Sequence, residues 1–156
     1  MSWGGNWAAW PSRHYNRRRF GAVDYEMGDS QQHQRRHVAT IQIPMRWGDM
    51  DALGHLNNTL YFRFFEEGRI SWLRGLQAQP SEGEGFLLAS AACNFRRPVL
   101  YPESVTVATF VSDIGRSSLS LYQEIRSAAD SDVLYADGAS RLVWADFAKG
   151  QIGRAR

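Results

Sequence analysis

With 156 residues, 44% of them apolar, the chain can bury one sizeable core and has too little length left for a second independent one. The formal charge of +2 at pH 7 is small, and much of the excess lies in arginines near the N-terminus, so no nucleic-acid partner is required. Cys93 is the single cysteine, which excludes an intramolecular disulfide framework and a cysteine-cluster zinc site. No apolar run approaches the ~20 residues that cross a bilayer, and the N-terminus lacks the apolar stretch of a secretory signal. A protein without a membrane partner, in the reducing cytoplasm, is the expectation.

Residues 1–36 differ from the rest, mixing Gly4, Gly5, Gly21 and Gly28 with Arg13, Arg17, Arg18 and Arg19 and ending in a polar tract. They read as a disordered or weakly docked arm. Trp3, Trp7 and Trp10 beside the arginines suit an interface or a nucleic-acid backbone. A non-essential extension, a misassigned start and an organellar transit peptide are the alternatives.

The folded part is expected over residues 37–150. From Val38 to Met45 the residues alternate, with Ala39, Ile41, Ile43 and Met45 on one side, as in a first strand. A turn follows at Trp47-Gly48-Asp49, then a polar segment from Asp51 to Asn58 in which Asn57 and Asn58 are both N-cap candidates. A helix is predicted from about Thr59 to Gly75, with Tyr61, Phe65, Gly68, Trp72 and Leu76 on one side and Arg63, Glu66, Glu67 and Arg74 on the other. Gly68 costs about 1 kcal/mol relative to alanine inside a helix, which suggests close approach to a sheet. Four strands are predicted after a Gly/Ser/Glu loop, over 86–96, 104–112, 117–127 and 133–147. One apolar helix against about five antiparallel strands is an α+β architecture in which the sheet must curve around the helix.

The densest cluster of reactive and turn-forming residues, Trp47 to Asn58, stands immediately before the long helix. A helix start offers unpaired N–H groups and about half a unit of positive charge. A carboxylate beside it can attack an acyl carbon or activate water while those N–H groups hold the oxyanion. Asp49 and Asp51 could equally be turn or capping residues, and His55 a loop histidine.

The full stretch Gly48-Asp49-Met50-Asp51-Ala52-Leu53-Gly54-His55-Leu56-Asn57-Asn58-Thr59-Leu60-Tyr61-Phe62, running on into Phe65-Glu66-Glu67-Gly68-Arg69, resembles the 4-hydroxybenzoyl-CoA and acyl-CoA thioesterase family of hot-dog proteins. Phe95-Arg96-Arg97-Pro98 and Gly115-Arg116-Ser117-Ser118 extend the resemblance, which covers about Val38 to Phe147. It implies a hot-dog fold, hydrolysis of an acyl-CoA thioester to an acid and free coenzyme A, no metal or other cofactor, and a homodimer or homotetramer with sites shared between subunits. Asp51 becomes the catalytic carboxylate and Asp49 a supporting loop residue. The backbone N–H of about Asn58 becomes the oxyanion donor. His55 stands where some branches carry an apolar residue and plant acyl-carrier-protein thioesterases carry histidine, although Leu53 replaces their preceding asparagine.

Tyr61, Arg97, Arg116 and Ser117 are the substrate-binding candidates, the arginines because guanidinium forks suit coenzyme A phosphates. Surface solvation is the plain alternative for Arg96, Arg97 and Arg116. Glu66 and Glu67 are expected to pair with Arg63, Arg69 or Arg74 at helical spacing, and Cys93 to be inert core packing. An acyl-carrier-protein thioesterase, a non-catalytic acyl-CoA-binding protein, and an interaction module working through the arm are the rival readings. Hot-dog scaffolds also host dehydratases, whose usual histidine and acidic constellation is not found here.

Overall fold

The computed structural model describes residues 35–76, 82–147, 149, 151 and 152; the N-terminal arm up to residue 34 and most of the loop after the helix lie outside them. The chain order is β1 (Arg36–Pro44), a single 3-10 turn (Trp47–Asp49), α1 (Asn58–Arg74), β2 (Glu84–Phe95), β3 (Ser104–Ile114), β4 (Ser118–Ser127), β5 (Leu134–Asp146) and a two-residue β6 (Gln151–Ile152). The sheet runs β1-β3-β4-β5-β2, antiparallel throughout, and β6 pairs with the far end of β5. One helix on a curved antiparallel sheet is the hot-dog fold expected from the sequence. Each strand differs from its expected range by only one or two residues at either end; β6 was not anticipated, because two residues carry no periodicity.

Alternation decides which face meets the helix. Val105, Val107 and Thr109 of β3 and Leu119, Leu121, Gln123 and Ile125 of β4 are buried against α1, while the residues between them form the outer face of the sheet. Ile41 and Ile43 of β1 pack on the same core, and Met45 just beyond the strand is part of it. From the helix, Tyr61, Phe64, Phe65, Gly68 and Arg69 are buried. Phe64 and Phe65 each contribute roughly 1.5–3 kcal/mol by leaving water. Phe62, between them and Tyr61, is 40% exposed, because a 100° step turns it away from the sheet.

The core divides in two. A larger cluster at the N-terminal end of α1 gathers Leu56, Tyr61, Phe64, Phe65, Val99, Val105, Val107 and Ile125. A smaller one towards its C-terminal end holds Leu119, Leu121 and Leu142, with Trp72, Leu73 and Phe86 packed on it. Between them runs a polar layer. Gln123 Nε2 donates to the Phe65 carbonyl at 2.8 Å and to Thr109 Oγ1 at 3.0 Å, and Arg69 Nη1 donates to Gln123 Oε1 at 3.4 Å.

That layer explains Gly68. A Cβ there would lie 2.9 Å from Gln123 Nε2, 3.0 Å from Val107 Cγ1 and 3.1 Å from Thr109 Oγ1, so the missing side chain is what lets the helix backbone reach the sheet. Gly138 on β5 is tighter: a Cβ would sit 2.5 Å from the Ala92 carbonyl oxygen and 2.6 Å from the Phe65 ring. Gly48 has nothing within 4 Å of the same position. Gly138→Ala should therefore destabilise the protein by at least ~1–3 kcal/mol as an overpacking change, and Gly48→Ala should stay within about 0.5 kcal/mol. Urea denaturation of the two variants checks this, and equal midpoints would contradict the packing described here.

Candidate active site

The loop between the 3-10 turn and α1 is built by its own polar side chains. Asp49 is buried, and its carboxylate accepts from the Arg46 backbone N–H at 2.7 Å and from Arg46 Nη2 at 3.1 Å. The Asp49 carbonyl in turn accepts from the Asn57 N–H at 2.9 Å. Both ends of Asp49 are thus spent on shaping the loop. Gly54 turns the chain at φ +76°, a conformation that costs a residue with a Cβ. The Asp51 N–H donates to the His55 carbonyl at 2.8 Å and the Leu56 N–H to the Val99 carbonyl at 2.9 Å, which fastens the loop to the segment after β2.

Asp51 is half-buried. Its Oδ1 accepts from the Leu53 N–H at 2.8 Å and the His55 N–H at 3.3 Å. Its Oδ2 has no partner among the described residues. One oxygen fixes the carboxylate and the other is unengaged among the described residues. Asn57 is the N-cap, its Oδ1 accepting from the Thr59 N–H at 3.0 Å and Thr59 Oγ1 at 2.9 Å, a contribution of about 1 kcal/mol. Asn58 is therefore the first helical residue, with an exposed side chain. Its N–H has no acceptor among the described residues, as the first turn of a helix requires. The His55 ring makes no hydrogen bond among the described residues, and its backbone bridges to Leu100.

Tyr61 lies one turn into the helix, buried edge-on against Phe95 at 5.0 Å between ring centroids. Burial pushes its phenol up to about 12, against a backbone hydrogen bond from Val99 that lowers it. The charges of Cys93 and Asp51 add to the upward push. The hydroxyl is therefore a neutral group near the Asp51 carboxylate at any working pH. Cys93, on β2, is held up to about 12 by burial and then by Asp137. A thiol so placed is not a nucleophile at neutral pH.

One chain brings together Asp51, His55, Asn58 and Tyr61, with Arg97 exposed just past β2 at the same end of the sheet, its N–H donating to the Tyr135 carbonyl at 3.0 Å. It does not bring Arg116 and Ser117 to them. Those residues occupy the β3–β4 turn at the opposite end of β3, and 11 residues of strand separate the two ends by on the order of 35 Å. Glu67 pairs with Arg63 at 3.3 Å on the exposed side of the helix, whereas Arg69 turns inward, where burial lowers its pKa and Glu66 opposes that shift. Sequence reasoning missed the inward Arg69 and its partner Gln123. The available signal was polar Gln123 at a position that alternation assigns to the buried face of β4.

The model of the thioesterase-like superfamily matches residues 45–155, which takes in the Asp51 loop, the helix and every strand after it. The chain belongs to the thioesterase-like superfamily. It is similar to the PA2801 protein of Pseudomonas aeruginosa, a candidate thioesterase, with a TM-score of 0.72 and 33% identity over 78% of this chain and 94% of that one. It is also similar to a candidate acyl-CoA thioesterase from Xanthomonas campestris, with a TM-score of 0.69 and 34% identity over 77% of this chain and 100% of that one. The long-chain acyl-CoA thioesterase FadM of Escherichia coli (strain K12) is 27% identical over 108 residues, 67% of this chain and 81% of its own. The uncharacterised YsmA of Bacillus subtilis (strain 168) is 32% identical over 82 residues, and the match spans 56% of its length.

Tyr61, buried, and Cys93, partly buried, are acids held protonated, and they make an alkaline prediction. Tyr61 and Cys93 have native values near 12 against ordinary values of 10.0 and 9.0, so the native state binds more protons than the unfolded one between those limits. Stability should fall as pH rises from about 9 towards 12. At pH 8, iodoacetamide should label Cys93 in the native protein at least ~100-fold more slowly than in urea, because both the thiolate fraction and access are reduced. Equal rates would remove Cys93 from the core.

Proposed function

We propose that the protein is a cytoplasmic acyl-CoA thioesterase in which Asp51 is the catalytic carboxylate and the Asn58 N–H holds the oxyanion. The observation that carries this reading is the pairing of two unspent groups: Asp51 Oδ2, with Oδ1 fixed by two backbone N–H groups, and the first N–H of α1. A carbonyl oxygen directed at the helix start would meet a donor and the positive end of the helix dipole. Its carbon would then face the carboxylate. Asp51 either attacks that carbon, expelling the coenzyme A thiolate and leaving an anhydride for water to open, or takes the proton of an attacking water. Membership of the superfamily and the name borne by the Escherichia coli relative support a coenzyme A thioester as substrate.

The reading includes a homodimer. Strand β2 is an edge of the sheet, most of it exposed, with Leu87 and Leu88 about half exposed. Unpaired edges of this kind invite a further strand. Antiparallel pairing of β2 with the same strand of a second copy would run its Glu84 end beside the Phe95 end of the first, bringing the partner's Arg116 and Ser117 towards Asp51. That arrangement accounts for substrate-binding candidates at opposite ends of one chain, with Arg97 and Arg116 available to coenzyme A phosphates.

Thiol release from a panel of short, long, branched and aromatic acyl-CoAs tests the chemistry. Asp51→Asn should lower turnover by at least ~100-fold with unchanged circular dichroism; undiminished turnover would remove Asp51 from the mechanism. Single turnover in 18O-water separates the two routes: water that opens an anhydride at the Asp51 carbonyl leaves its label in the Asp51 peptide and the released acid unlabelled, whereas water activated by Asp51 puts the label into the acid and none into the peptide. A sedimentation profile of monomers at working concentration would defeat the shared site.

A further inference from the structure

The face of the sheet that points away from α1 carries a feature the proposed reaction does not use. On one rung Ser90, Arg141 and Ser120 are neighbours across β2, β5 and β4, and on the next Ala92, Ala139 and Tyr122 are. Four of these six are serine or alanine, so a hollow of about 250 Å³ is left in the face, with Arg35 and Ser112 also on its wall. Small residues make the floor and two guanidiniums stand at the rim.

Those guanidiniums are held but not neutralised. Arg35 lies over the Tyr122 ring with its Cζ 3.6 Å from the centroid, a cation–π contact that fixes the plane of the group. Its Nε is buried without a hydrogen-bond partner among the described residues. Arg141 Nη2 donates to Ser118 Oγ at 3.2 Å. The carboxylates nearest on the same face are engaged elsewhere: Asp137 accepts from Arg96 and Asn94, and Glu124 from Arg126 at 2.8 Å. Asp113, the remaining acid beside the hollow, lies at the β3 bulge and is exposed. Ser112 Oγ donates to the Ser120 carbonyl at 3.1 Å, while the Ser90 and Ser120 hydroxyls have no partner among the described residues.

We propose that this hollow binds a phosphate group, as inorganic phosphate or as the phosphate of a monoester. The wall of the hollow holds two formal positive charges and no carboxylate, the exposed Asp113 lying outside it; this matches a dianion, where a single carboxylate would leave one charge over. Planar guanidinium forks and hydroxyl donors suit the three terminal oxygens. The site opens on the side of the sheet opposite to the helix and the Asp51 loop, so it is separate from the proposed thioesterase centre and stands or falls independently of it.

Calorimetric titration of the full chain at low ionic strength with inorganic phosphate, adenosine 5′-monophosphate and, as a control, acetate tests the site. Saturable binding of a phosphate-bearing probe, at least ~10-fold tighter than acetate and weakened at least ~10-fold in the Arg35→Gln/Arg141→Gln double variant, is the expected result. The single exposed change Ser90→Asp, which puts a negative charge into the hollow with little risk to the fold, should weaken binding by a similar factor. Tighter binding of the nucleotide than of inorganic phosphate would identify a nucleotide monoester as the ligand, and equal binding would identify the free ion. Absence of saturable phosphate binding, or affinities equal in native protein and both variants, would overturn the proposal.

Discussion

The amide of Gln123 holds the helix to the sheet. Its nitrogen donates to the Phe65 carbonyl and to Thr109, and its oxygen accepts from Arg69, so one buried side chain satisfies polar groups from α1 and β3 at once. Buried amides left unpaired would cost on the order of 1–3 kcal/mol each. The network forms only if the helix backbone comes close, and that requires Gly68 in the helix. The two hydrophobic clusters then close on either side of this polar layer, and the helix start is carried to a fixed position above the Asp51 loop.

That position gives the loop its chemical meaning. Asp49 and Asp51 are two residues apart and chemically identical, yet the first is buried and clasped by Arg46 while the second keeps one oxygen unspent among the described residues. The difference is one of hydrogen-bond supply. Asp49 is served by a guanidinium and a backbone N–H that come with the 3-10 turn, and Asp51 only by two N–H groups that reach the same oxygen. A helix N-terminus whose first N–H has no acceptor among the described residues completes an arrangement suited to acyl transfer.

The expected elements were legible because their periods are strong: alternation in β1, β3 and β4, and three- and four-residue spacing from Tyr61 to Trp72. Phe62 and Phe65 show the limit. Both are phenylalanines on the same helix, and the phase of the helix against the sheet, fixed by Gly68 and Gly138, puts one outside and the other over β5. Arg69 is the sharper case. At its spacing an ion pair with a helical glutamate was as reasonable as any other reading, and what draws it inward is Gln123, 54 residues away.

The sequence by itself determined the hydrophobic faces, an asparagine cap at Asn57 or Asn58, and the presence of a reactive loop before a long helix, since each is a local property of neighbouring residues. Only the tertiary structure decided which aspartate keeps a free oxygen, that Arg116 and Ser117 lie a full strand length from Asp51 within one chain, and that Arg35 and Arg141 flank a shallow hollow. These depend on strand order and register, which join residues far apart in the chain; a register slip of one residue in β5 would by itself turn Arg141 to the other face.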